Sequence, residues 1–122
     1  MKFNLDRGEE HYHIDSYQAL EYISVNGKKY THSLIITHNQ ILPWSPSDFE
    51  ALTPENFNQL LEINQGFILF GSGKNHQFPS PDLLNSFYTN NTAIEIMSTN
   101  AACRTFNVLM SENRAVTAAL LL

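Results

Sequence analysis

The chain has 122 residues, 43% of them hydrophobic and 16% charged, which fits one globular domain with its own core and excludes a disordered chain. The net charge is −5, and the seven bases, Lys2, Arg7, Lys28, Lys29, Lys74, Arg104 and Arg114, are scattered; nucleic acid and anionic membrane both require clustered positive charge, so neither is an expected partner. A single cysteine, Cys103, excludes an intramolecular disulfide.

Residues 1–16 are polar and include Glu9, Glu10, His11, His13 and Asp15. They read as a loosely ordered arm that pairs with the sheet near Tyr12 and Ile14, and residues 17–122 as the domain. The start lacks the apolar run of a signal peptide and the longest apolar run, Ala118 to Leu122, is too short to cross a bilayer, so the expected location is the cytoplasm. Tyr17 to Val25 alternates as a half-buried strand, Asn26-Gly27 marks a tight hairpin turn, and Lys29 to Thr37 reads as the partner strand. His38-Asn39-Gln40 turns the chain into a short strand at Ile41-Leu42, which Pro43-Trp44-Ser45-Pro46 ends.

Thr53-Pro54-Glu55 starts a helix with a hydroxyl cap, a first-turn proline and an acid, and Phe57, Leu60 and Leu61, with Asn64, share its stripe. Asn64-Gln65-Gly66 closes it. Phe67 to Phe70 is a continuous apolar run, the mark of a central strand buried on both faces. Ser80-Pro81-Asp82 repeats the helix-start pattern, with Leu83, Leu84, Phe87 and Tyr88 as the buried face. Ala93 to Met97 is strand-like, Thr99 caps a third helix with Ala102, Phe106, Leu109 and Met110 on one stripe, and Ala115 to Leu121 is a last strand. A hairpin start followed by three helix–strand units predicts an α/β domain whose crossover helices pack on a parallel or mixed sheet.

Familiar catalytic patterns fail on inspection. Gly71-Ser72-Gly73 lacks the third glycine of a dinucleotide fingerprint, with His76 in its place, and Ser72 stands where a phosphate-binding loop needs lysine. His11 and His13 have no downstream ligand pair, so neither a metal nor a cofactor is expected. The best candidate is a small-anion pocket between two segments. One is the turn Gly71, Ser72, Gly73, Lys74; the other is the helix start at Thr99, with Arg104 one turn in and Asn107 one turn past Cys103. Cys103 is a weak nucleophile candidate, because a helix start and an adjacent arginine favour thiolate, although a buried packing role is the commoner fate of cysteine. Trp44 at its proline corner is a candidate pocket or interface wall.

Several stretches resemble the Mth domain family. Phe67 to Lys74, then Phe78-Pro79 and Leu83-Leu84, is similar to that family's "GTG…FP…LL" segment; Ile94 to Met97 leading into Thr99 to Leu109, and Ile41 to Trp44, continue the likeness. The resemblance implies a single three-layer α/β domain with a central mixed sheet. It implies no catalytic residue. The family includes proteins of unknown function, a respiratory complex I assembly factor and an adipogenesis-associated protein. Ser72 replaces its usual threonine and Phe106 stands where tyrosine is frequent; the lack of a mitochondrial presequence points to a bacterial member. The expected function is a non-enzymatic binding or assembly protein with a small anionic ligand and an unknown protein partner. The alternatives are a small enzyme acting on an anionic substrate through Cys103 or Lys74 and Arg104, and a complex I assembly role by family analogy.

Overall fold

A computed structural model describes residues 11–63 and 66–122. Most of the N-terminal arm, with Glu9 and Glu10, and the expected helix-closing residues Asn64 and Gln65 lie outside the described residues. The elements run β1 (Ile14–Gln18), β2 (Tyr22–Val25), β3 (Lys28–Tyr30), β4 (Leu34–Thr37), β5 (Ile41–Pro43), α1 (Pro54–Ile63), β6 (Phe67–Gly71), α2 (Asn85–Thr89), β7 (Glu95–Met97), α3 (Thr99–Ser111) and β8 (Val116–Leu120), with a short 3₁₀ turn at Phe49–Ala51. They build two sheets. The small one is antiparallel in the order β1-β2-β3; the large one is mixed, in the order β5-β4-β8-β6-β7. Within it β8 and β7 flank β6 in parallel, and β4 joins β8 and β5 antiparallel. The expected α/β architecture with an N-terminal hairpin and crossover helices is what forms.

Side chains alternate across the large sheet, and this alternation makes three layers. Leu34, Ile36, Leu69, Val116, Ala118 and Leu120 face α3 and the small sheet; Ile35, Ile68, Phe70 and Ala119 face α1 and α2. Burying both faces explains the apolar run at Ile68–Phe70, whereas Phe67, expected to be buried with them, is exposed at the start of the strand. The second core is stapled by aromatic edges: Phe57 lies 5.5 Å from Phe70 and 6.2 Å from Phe87, centroid to centroid. Each such buried ring contributes about 1.5–3 kcal/mol through lost apolar exposure.

Three local expectations are revised. The strand expected over Tyr17–Val25 is two strands, β1 and β2, joined at a turn where Leu20 takes φ 67. The strand expected over Lys29–Thr37 is also divided: β3 stays in the small sheet and β4 enters the large one. The helix expected from Pro81 begins only at Asn85, because the preceding residues form turns in which the Ser80 carbonyl accepts from the amides of Leu83 (3.0 Å) and Leu84 (3.3 Å). The hairpin turn at Asn26-Gly27 is as expected, with φ of 49° and 85° at its two positions.

Candidate functional site

The glycine turn after β6 and the start of α3 do come together, but they bond to each other. The N-cap of α3 is Ser98, not Thr99; its side-chain oxygen accepts from the Ala101 amide. Thr99 is the first helical residue and is fully buried. Its amide donates to the Gly73 carbonyl at 2.9 Å, its hydroxyl donates to the Leu121 carbonyl at 2.7 Å, and that hydroxyl accepts from the Gly73 amide at 2.9 Å. Gly71 makes this approach feasible: a β-carbon there would lie 2.9 Å from the Thr99 Cα, well inside contact distance. Ser72 is also engaged. Its amide donates to the Met97 carbonyl (2.8 Å), its hydroxyl donates to the Asn75 carbonyl (2.7 Å), and the same hydroxyl accepts from the Gln77 amide (3.0 Å).

The remaining candidate residues separate. Ser72, Gly73 and Lys74 line a cleft of about 140 Å³ together with Asp48, Phe49 and Glu50; Thr99, Arg104 and Asn107 do not line it. Lys74 and Arg104 are both exposed. An anion in that cleft would meet one lysine and two carboxylates, so Coulomb forces oppose it. Asn107 has a different task. Its side-chain oxygen accepts from the Ile14 amide and its side-chain nitrogen donates to the Ile14 carbonyl, each at 2.9 Å. It thus extends the β1 ladder sideways onto α3.

Cys103 is 5% exposed in the core between α3 and the sheets. Burial pushes its thiol up to about 12, and the opposing pull of the Arg104 charge is smaller. At neutral pH about one molecule in 10⁵ would carry the thiolate. Trp44 is 2% exposed and packs edge-on to Phe57 and Phe70, at 6.3 and 6.1 Å, which makes it a core residue. Among the described residues no group of three or more His, Cys, Asp or Glu is placed to hold a metal ion.

A larger hollow lies elsewhere. A groove of about 780 Å³ runs between α2, the loop before it and the outer strand β7. Phe78, Pro79, Leu84, Tyr88, Ile94 and Ile96 line it, and Phe78 and Tyr88 are 68% and 61% exposed. Two large aromatics held open on an apolar groove are characteristic of a binding surface. Sequence reasoning assigned Tyr88 to the buried face of α2 and gave Phe78 no role. The available signal was Phe78-Pro79 in a turn-rich segment, where an aromatic has no helix or strand to pack behind.

Residues 14–121 match the family described as "Protein of unknown function (DUF498/DUF598)". The chain belongs to that family. Among its relatives is the "13 kDa major membrane protein" of Francisella tularensis, 28% identical over 94 residues that make up 75% of this chain and 76% of that one. The NADH dehydrogenase 1 alpha subcomplex assembly factor 3 proteins also match: the bovine one is 28% and the human one 26% identical, each over 89% of this chain. The match spans 60% of the length of these assembly factors.

Several solved structures share the fold. A Xanthomonas campestris protein superposes with a TM-score of 0.78 at 30% identity, covering 99% of this chain and 92% of its own. A Bordetella parapertussis protein reaches 0.80 at 26% identity, with 91% and 95% covered. A Bordetella pertussis protein described as a Mth938-like domain reaches 0.76 at 23% identity, with 99% and 92% covered, and shares the fold. The family match over residues 14–121 and the assembly-factor relatives bear out the family resemblance read from Phe67–Lys74 and Thr99–Leu109. No helix among the described residues is long and apolar enough to cross a membrane.

Proposed function

We propose that this chain is a non-enzymatic binding domain that works through protein contacts made at the apolar groove beside β7. The observation that carries the reading is the exposure of Phe78 and Tyr88 on a concave surface walled by Ile94 and Ile96. Exposed aromatic anchors over an apolar floor supply the kind of contact on which protein interfaces depend most. Assembly-factor relatives support the same reading, and a respiratory-complex subunit as the partner rests on them alone. A bacterial cytoplasmic location is part of the same proposal.

A photo-crosslinking amino acid introduced at position 78 tests this in cells. The expected result is a discrete cross-linked species that is absent when the same group replaces exposed Lys28 on the small sheet. No adduct at position 78, or the same adduct at both positions, would overturn the proposal. The small-anion pocket is the lesser reading, supported only by the presence of Lys74 in the 140 Å³ cleft. Phosphate titration that shifts the Ser72–Lys74 amides would restore it.

A further inference from the structure

We infer that the groove receives its partner as an added β-strand: an extended segment pairs with the free edge of β7, with apolar residues toward Ile96 and basic residues beside Glu95. This rests on the binding-domain reading and names the form of the partner.

The strand edges carry the inference. An open edge is a template for pairing, and proteins normally block it. β5 carries Pro43, β3 carries Lys28 and Lys29, and β1 has the Asn107 amide bonded to Ile14 on its outer side. β7 is three residues long, and among the described residues the exposed charge of Glu95 is its one guard. The strand holds no proline and no lysine, and it pairs only with β6.

The pairing pattern also orients the edge. The Met97 carbonyl accepts from the Ser72 amide, so Met97 turns its backbone toward β6. Backbone direction alternates along a strand, which leaves the N–H and C=O of Ile96 pointing outward. The Ile96 side chain lines the groove, as does that of Ile94, whereas Glu95 lies between them on the opposite face and is exposed. A strand laid against this edge would put alternate side chains into the groove beneath Phe78 and Tyr88. The side chains between them would stand next to Glu95, where a base forms a favourable cross-strand pair.

Charge selects the occupant. Glu95, between the groove-lining Ala93, Ile94 and Ile96, and Asp82, next to the groove-lining Pro81, are exposed acids, and no base lines the groove. A second copy would bring another Glu95-Ile96-Met97, without a base for Glu95, and a further −5 of net charge. A cationic extended segment has the complementary pattern.

The probe is an eight-residue capped peptide of alternating valine and lysine, titrated into the whole isotope-labelled chain and followed by NMR. The expected result is a shift and slowed hydrogen exchange at the Ile96 amide. Binding should weaken at least tenfold when glutamate replaces the lysines, and at least tenfold in the Phe78→Ala/Tyr88→Ala protein, whose changed side chains are exposed. Backbone N-methylation of the peptide should abolish binding at alternate positions only. Four results would overturn the inference: no binding, equal binding by the glutamate peptide, indifference to N-methylation, or a dimer of this chain that the Phe78→Ala/Tyr88→Ala pair dissolves. A cross-link at position 78 together with indifference to N-methylation would remove the strand mode and leave the binding-domain reading in place.

Discussion

Asn107 offers a sharp test of whether the residues around α3 hold a ligand or hold the fold. Its amide satisfies both the N–H and the C=O of Ile14 at 2.9 Å, across 93 positions of sequence. Asn107→Ala removes two hydrogen bonds and leaves two backbone groups short of partners in a part-buried contact. Each net bond contributes about 1 kcal/mol, and each stranded partner costs about 1–3 kcal/mol where water cannot reach it. Because the contact is only part-buried, the expected loss is about 2–4 kcal/mol, a fall in Tm of about 8–15 °C for a domain of this size. Asn107→Asp should be no milder, since it keeps the acceptor for the Ile14 amide but sets a carboxylate against the Ile14 carbonyl. Urea unfolding gives the loss, and hydrogen exchange at the Ile14 amide shows its location. A loss below about 0.5 kcal/mol, or unchanged exchange at Ile14, would refute this reasoning and return Asn107 to the list of ligand candidates.

Thr99→Val keeps the volume but strands the Gly73 amide and the Leu121 carbonyl, so a cost of about 2–4 kcal/mol is expected, with faster exchange at Gly73; a near-neutral variant would mean that the turn does not depend on this hydroxyl. Cys103 should react with a thiol reagent at pH 8 at least about a thousandfold slower than a free cysteine until the protein is unfolded, and a fast native reaction would revive the nucleophile. The same burial affects stability at alkaline pH. The folded thiol stays protonated up to about 12 whereas the unfolded one ionises near its ordinary 9.0, so the unfolded state binds fewer protons and stability falls from about pH 9 upward. Cys103→Ala should flatten that part of the stability curve; an unchanged slope would place its cause elsewhere.

The elements that local chemistry determines were readable from the sequence. Asn26-Gly27 can hardly be anything but a tight turn, and the apolar run of β6 needs two covered faces, which Ile68–Phe70 have between α3 on one side and α1 and α2 on the other. The break at Ala19-Leu20-Glu21 was not readable, because no glycine, proline or asparagine marks it; tertiary pairing of Gln18 with Tyr22 imposes a positive φ on a leucine. Similarly, Thr31 to Ser33 does not announce that the chain leaves one sheet for the other. For the site, pattern reasoning correctly brought Gly71–Gly73 to the start of α3. It could not tell free donors from used ones, and the Thr99 hydroxyl uses them. Phe78 and Tyr88 were missed for a related reason: an aromatic residue reads as core until the fold leaves it uncovered.

The central claim is that partner contact belongs to the groove and not to the glycine turn. The most direct measurement compares recovery of the in-cell cross-linked partner by two variants built on exposed residues, Tyr88→Asp at the groove and Lys74→Ala/Arg104→Ala at the turn and α3. With the photo-crosslinker kept at position 78, Tyr88→Asp should lower the adduct at least tenfold and the Lys74→Ala/Arg104→Ala pair should leave it unchanged. Loss of the adduct in the second variant and its retention in the first would contradict the account.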